Sequence, residues 1–488
     1  MFILAALGLG IAIGFAPGYA LAAATAIPLA LVVGRWPGRA AVVLLLWGGA
    51  KYAVLKIAPA VSGMLVQAEI ATVILVALSA LSYLRRGKRL EGVTLGWFGV
   101  FAAFAVSAIV SWALNRGDLA TLAIGLRSLA TMPILAASLL VVAQPGDLRA
   151  LRTGGIALTI AQVPIAVAQF AYGGLTSNVD YVNGTLGLGG SNSLGIWMLA
   201  AAAACYYVFV RGHGVRWLVG SGVFIVVVVM CGARLCILAL PVVVLGLGIY
   251  ALTRSDAALV GARLVISTTM MTLLLVGVIA GVYSGYATAG INIGSAISDL
   301  NPSSLFARQN QIGDYSVPRF AYLSYGWDFL REGSPLWLFG TGPASAGSGA
   351  ASAVQGVYDT TPFATGLRLI SEGSATYVGS GRVVTQTNQF VSTLVEYGPV
   401  GLLLIMLTYL VAGFQVAKNV GRRDLGSTRD ALLVGAFPVL LVFATFGTLY
   451  GVTWEGLNIV GLGFWWVAML SYAPLETVSR DAMKEPGR

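Results

Sequence analysis

An all-α polytopic membrane protein, with about twelve to fourteen transmembrane helices and one long extramembrane loop, is the architecture expected of this sequence. Three observations carry that expectation. Of 488 residues, 58% are hydrophobic and only 10% charged, against roughly 45–50% and about 25% in soluble domains. Apolar runs of the roughly 20 residues that cross a bilayer recur along most of the chain. Lys and Arg gather in alternate loops. Together these exclude an ordinary soluble enzyme, a disordered protein and a fibrous repeat. Cys205, Cys231 and Cys236 lie in apolar segments and offer neither a disulfide framework nor a metal spacing. One histidine, His213, builds no histidine metal site. The net charge of +10 is ascribed to cytoplasmic loops before any nucleic acid.

The first segment, 2–16, has no basic n-region and no small-residue cleavage site, so it reads as a helix rather than a removed signal. Ala16-Pro17-Gly18 separates it from 18–34. Further spans are expected at 39–57, 64–84, 93–114, 120–143, 153–171, 191–210, 216–232, 235–252 and 262–285, with a break near Gly232–Arg234. Residues 1–285 thus hold about eleven spans. The stretch 286–389 is rich in Gly, Ser, Thr and Pro and lacks a 20-residue apolar run, so it forms the large loop. Within it, Pro318 followed by Phe320, Leu323, Trp327, Phe329 and Leu330 predicts a short amphipathic helix over 318–331. Three spans occupy 390–475 (390–416, 430–450 and 457–475), and 476–488 is a tail.

With both termini cytoplasmic, 19 of the 29 Lys and Arg fall in cytoplasmic loops and tail. The outer face then has Arg116, Arg234 and five arginines of the long loop, Arg308, Arg319, Arg331, Arg368 and Arg382. Long loops cross regardless of charge. Lys51, Lys56 and Arg127 remain inside spans.

Soluble signatures are absent. There is no phosphate-binding Gly-Lys-Ser/Thr loop and no nucleophile elbow in a credible context. Gly187, Gly189 and Gly190 precede a membrane helix rather than join a strand to a soluble one. Basic residues do not interleave with aromatics on a solvated face, so nucleic acid is not an expected partner.

Charge below the outer interface stands out instead. Arg127 lies roughly 10 Å inside its span. A charge there costs about 2.5–3.5 kcal/mol, so it needs a partner, a polar cavity or a route to snorkel. Lys56 reads as a snorkelling anchor and Lys51 lies deeper. Arg234 follows the break at Gly232-Ala233, where its planar fork could hold a phosphate or a lipid headgroup. Arg319 opens the loop helix. Asn388, Ser392 and Glu396 fall on one helix face. Glu396 is either a site group or the structural partner of Arg127 or Lys51. Gly340-Thr341-Gly342-Pro343 is a turn signal. Arginines suit phosphates, and loop aromatics (Tyr315, Tyr322, Tyr325, Trp327, Tyr358, Tyr377) suit sugar faces. The combination points to a lipid-linked phosphosugar.

Four segments resemble the O-antigen ligase and O-antigen polymerase superfamily. Asn183-Gly184-Thr185-Leu186-Gly187 through Asn192-Ser193-Leu194-Gly195 is similar to its Gly-Thr-Phe-Gly … Asn segment. Gly232-Ala233-Arg234 is similar to its Ser-Arg-Gly element. Arg319 through Trp327, Pro335-Leu336 and Phe339 through Pro343 resemble its Arg … Pro-Leu … Gly-x-Gly run. Asn388 through Glu396-Tyr397-Gly398-Pro399-Val400-Gly401 resembles its His-Asn … Glu-x-Gly-x-x-Gly exit. The resemblance spans about 183–402 in the family's order.

It implies an inverting glycosyltransferase of the GT-C type in a bacterial inner membrane, needing no metal or other cofactor. The substrate would be an undecaprenyl-diphosphate-linked oligosaccharide on the periplasmic side. Arg234 and Arg319 match the arginines expected to neutralise the leaving diphosphate, and Glu396 joins them as a catalytic candidate. Asn192, Asn388, Lys51 and Arg127 are the substrate-binding candidates; Arg127 and Lys51 rest on their place in the spans rather than on a motif. Membrane lipids are further partners, and a chain-length regulator is left open.

One departure matters. Ligases carry a histidine just before the Asn of the exit motif, and here that position is Thr387. A base must then be a carboxylate, with Glu396, Glu372 and Asp314 as candidates. A carboxylate serves when an apolar cavity raises its pKa toward neutrality. The expected activity is polymerisation of repeat units into a surface polysaccharide or exopolysaccharide. Ligase-type transfer of a finished glycan is the nearer alternative. A transporter or flippase is the alternative of another class; it predicts midplane charges and repeat symmetry, and neither is visible in the sequence.

Overall fold

The computed structural model describes residues 29–57, 62–87, 92–117, 119–174, 182–186, 190–253, 257–288, 309–312, 315–333, 337–343, 345, 389–421, 427–447 and 459–472. The chain is an all-α polytopic membrane protein. Among the described residues, ten helices are long and apolar enough to cross a membrane. The expected span 2–16, residues 18–28 of the expected span 18–34, the split at Pro17, and the tail 476–488 lie outside the described residues.

The long helices follow the expected order. They are α1 (Pro37–Ile57), α2 (Ser62–Arg85), α3 (Gly92–Leu114), α4 (Leu119–Val142), α5 (Pro145–Gln169), α6 (Ser191–Val210), α7 (Arg216–Met230), α8 (Arg234–Leu252) and α9 (Ala257–Thr288). Proline opens α1 and α5, where its missing N–H is not needed. The Asp147 carboxylate accepts from the Gln144 N–H at 2.9 Å and closes the first turn of α5. Helix α5 runs directly into a π-helical turn, Phe170–Gly174. As expected, α7 and α8 are separate helices broken at Gly232-Ala233. Helix α9 runs to Thr288, a little beyond the expected end of the first membrane region.

The large loop contains a short antiparallel hairpin, β1 (Gln309–Ile312) and β2 (Tyr315–Pro318), paired Ile312 with Tyr315. The sequence reading missed it, because four-residue strands with little apolar content leave no periodic signal. Helix α10 (Arg319–Gly333) follows directly, close to the expected 318–331. Then come α11 (Gln389–Gly421), α12 (Thr428–Thr445) and α13 (Ile459–Ser471). The Ser427 hydroxyl caps α12 by accepting from the Asp430 N–H at 3.1 Å.

Helix α6 is the centre of the bundle. It packs on α7, α8 and α12, and 83% of its apolar window is buried, against 11% for α9 at the rim. Aromatic rings fill the junction of α3, α11 and α13: Trp97 lies 4.7 Å from Trp465, and Tyr409 lies 5.3 Å from Phe464 between centroids. In hydrocarbon such packing, not water exclusion, holds helices together. Because successive helices alternate in direction, the segments at 115–117, 182–186, 231–233 and 337–343 and the start of α11 share one end of the bundle.

Candidate functional site

The site is organised around a break in α11. Gly398 has φ 69° and ψ 178°, and Pro399 follows it. Proline has no N–H, so the Val395 carbonyl loses its helical donor. In a membrane helix a freed carbonyl must find another. The Gly340-Thr341-Gly342-Pro343 turn supplies it. The Thr341 N–H and hydroxyl both donate to the Val395 carbonyl, at 2.8 and 3.0 Å. The Gly342 N–H donates to the Glu396 carbonyl at 3.0 Å, and the Ser111 hydroxyl of α3 donates to the same oxygen at 2.9 Å. Gly340, at φ 81°, passes so close to Glu396 and Gly398 that a Cβ there would sit 2.5 Å from the Glu396 carbonyl. Two segments 54 residues apart, each singled out in the sequence, therefore form one joint.

Helix α4 closes the third side. A side chain at Gly125 would meet the Tyr397 hydroxyl at 2.7 Å and Pro343 at 2.8 Å, so the small residue admits both. Tyr397 is buried and stacks edge-on against Phe104 at 5.4 Å. Glu396 itself is 1% exposed.

A second polar joint lies at the same end. Residues 182–186 are buried and non-helical, so their backbone needs partners. Two glutamines of α5 provide them. The Gln162 amide donates to the Thr185 hydroxyl at 2.8 Å and its carbonyl accepts the Thr185 N–H at 3.0 Å. The Gln169 carbonyl accepts the N–H groups of Asn183 and Gly184 at 3.0 and 2.7 Å, and its amide donates to the Gly184 carbonyl at 2.8 Å. Thr185 also donates to the Gly49 carbonyl of α1. Just beyond, Gly195 of α6 lies against Ala233, the residue before Arg234. The starts of α6 and α8 thus run side by side, and two helix N-termini of like polarity converge.

The individual candidates are placed as follows. Arg234 opens α8 and Arg319 opens α10; their side chains lie outside the described residues, as do Asn388, Lys56, Asp314, Glu372, Thr387, Tyr358, Tyr377, Arg308, Arg368 and Arg382. Asn192 is exposed in the first turn of α6. Arg127 is half-buried in α4 and forms no ion pair, with Glu396 or with any other described carboxylate. Lys51 has a partner that the sequence reading did not foresee. Its ammonium lies 2.7 Å from Glu69 of α2, and the Trp47 N–H donates to the same carboxylate oxygen at 3.3 Å. With its charge neutralised inside the bundle, Lys51 is left out of the set proposed below. Neither Lys51 nor Arg127 is the ion-pair partner of Glu396.

Between α10 and α11 runs a groove of about 750 Å³, lined by Leu323, Trp327, Phe390, Leu394, Leu402 and Met406 among others, with Ser324 and Asp328 at its loop end. It descends past the break along the apolar part of α11. Trp327 stacks edge-on against Trp337 at 5.6 Å and keeps a partly exposed face. Among the described residues no three His, Cys, Asp or Glu side chains gather as a metal site.

Sequence reasoning missed the residues that build both joints: Ser111, Asn115, Gln162 and Gln169. The one available signal was Gln162 and Gln169, seven residues apart on one face of an otherwise apolar span. Comparison with protein-family models finds no match, and comparison with curated proteins finds none.

Proposed function

We propose that this multi-pass membrane protein is a glycosyltransferase that polymerises undecaprenyl-diphosphate-linked oligosaccharide repeat units on the periplasmic side of a bacterial inner membrane, without a metal. One observation carries the reading. Described parts of the four segments that resemble the O-antigen ligase and polymerase superfamily meet in pairs at one end of the bundle: Gly195 against Ala233 and Cys236, and 340–342 against 395–398.

The chemistry this supports is an inverting displacement. The acceptor hydroxyl of a new unit attacks the anomeric carbon of the growing chain on the face opposite the diphosphate. The bond from that carbon to the phosphate oxygen breaks, and the electron pair leaves with the polyprenyl diphosphate. The acceptor proton passes to a carboxylate, for which Glu396 is the described candidate. Negative charge grows on the leaving diphosphate, and preorganised cations there are a large catalytic term. Arg234 and Arg319 are assigned that role, with Arg127 and the paired N-termini of α6 and α8 adding positive potential. The apolar groove beside α11 suits the polyprenyl chain.

The test is purified protein in detergent with lipid-linked repeat units, with products resolved on a gel. A ladder at repeat-unit spacing is the expected result. Transfer only on addition of a separate acceptor would move the assignment to a ligase. Movement of unaltered substrate across proteoliposomes, with no new covalent product, would sink it in favour of a transporter.

A further inference from the structure

We propose that Asn115 is a positioning residue of this site: its side-chain amide holds the Gly340–Pro343 turn over the break in α11 and so fixes where Glu396 and Tyr397 stand. The proposal rests on the polymerase reading for its kinetic consequence and on geometry alone for the clamp.

Asn115 is the residue just past the end of α3. Its amide nitrogen donates to two carbonyls, Ser111 at 2.8 Å and Gly340 at 3.0 Å. Ser111, one turn earlier, donates its hydroxyl to the Glu396 carbonyl at 2.9 Å. One turn of α3 therefore grips both halves of the joint: the loop through Asn115 and the broken helix through Ser111. The fit is close, since a Cβ on Gly342 would lie 3.3 Å from the Asn115 Cβ. Without Asn115, the turn keeps its bonds to the helix it caps but loses its side-chain hydrogen bond to α3, while α11 keeps Ser111 and the packing of Tyr397 on Phe104.

The neighbouring backbone is held in an unfavourable shape. Arg116 has φ 51°, the one non-glycine among the described residues with positive φ. That conformation costs roughly 1–2 kcal/mol for a residue with a Cβ. It closes the end of α3 through bonds from the Arg116 N–H to the Ala113 carbonyl at 3.3 Å and from the Gly117 N–H to the Trp112 carbonyl at 3.1 Å. Ending the helix one residue later would put Gly117 in this conformation at little cost. The chain instead strains Arg116, and Asn115 keeps its place under Gly340. Strain of this kind persists where surrounding contacts over-determine it, often at functional sites.

The test compares wild-type protein with Asn115→Asp, Asn115→Ala and Arg116→Gly. Aspartate keeps the shape but replaces the donor with an oxygen facing two carbonyls. Amide hydrogen exchange over 337–343 and steady-state polymerisation are measured in each. Both Asn115 variants are expected to exchange the Thr341 and Gly342 amides at least tenfold faster. Their kcat is expected to fall at least tenfold, with KM within twofold of wild type. Arg116→Gly should melt at or above the wild-type temperature and keep slow exchange, which separates the strained backbone from the amide contact. Wild-type exchange in Asn115→Asp overturns the clamp. Faster exchange with wild-type kcat overturns the positioning role. If wild-type protein makes no polymer, the polymerase reading fails and the role in turnover with it, while the exchange result still decides the clamp. If the aspartate variant does not fold, Asn115→Ser, too short to reach Gly340, carries the same comparison.

Discussion

Arg127 and Lys51 look alike in the sequence, two cations inside apolar spans. The structure separates them. Lys51 ends on Glu69, whereas Arg127 is half-buried and, among the described residues, has no ion-pair partner. No local pattern marks the difference, because Glu69 belongs to another helix and reads alone as an acid in an apolar run. A guanidinium kept at membrane depth without a counter-charge among the described residues lowers stability by a few kcal/mol on insertion scales, and function is the usual reason to keep one. Arg127→Leu should therefore raise the melting temperature and cut polymer yield at least tenfold. Wild-type yield from that variant would remove Arg127 from the site. For Arg234 and Arg319, alanine should abolish polymer while membrane insertion, followed by a fused reporter, stays at the wild-type level.

At the scale of helices, the same contrast sets different expectations. Breaking the Lys51–Glu69 pair with Glu69→Gln leaves a buried ammonium uncompensated, which costs about 3–5 kcal/mol. Thermal unfolding in detergent should show a large drop. Lys51→Met combined with Glu69→Leu should restore most of it, because no charge is then left inside. The break in α11 is equally specific. Gly398→Ala places a methyl against the Leu338 carbonyl and on a backbone with φ 69°, so it should destabilise by more than the roughly 1–2 kcal/mol of the backbone term alone. Tyr397-Gly398-Pro399 stands inside the span 390–416, which reads as continuous in the sequence. What the string required was a donor from 54 residues upstream, and a pattern with a period of a few residues cannot show that. The glutamine clamp at Gln162 and Gln169 was hidden for the same reason.

For the molecule as a whole, hydropathy and basic loops made the architecture legible: the span order, the break between α7 and α8, and the helix after Pro318 all followed from local physics. Three-dimensional pairing of the joints did not. Sidedness is the part of the reading that labelling can decide. A cysteine at Ser345 should react with an impermeant maleimide in intact cells, and one at Arg86 only after permeabilisation. The reverse pattern would invert the orientation and defeat a periplasmic site. The native Cys205, Cys231 and Cys236 are buried and should stay silent.

The capped break in α11 also sets an order of assembly. Its carbonyls at Val395 and Glu396 are answered by Ser111, Thr341 and Gly342, all of which leave the ribosome first. When α11 enters the bilayer, its missing donors already exist, carried by a helix hairpin and a loop that precede it in the chain. Separated from them, α11 would present two bare carbonyls to lipid, each costing several kcal/mol. Helix α11 therefore depends on earlier parts of the chain for its insertion as well as for its packing, and fragments split between 345 and 389 would have to be made together to assemble.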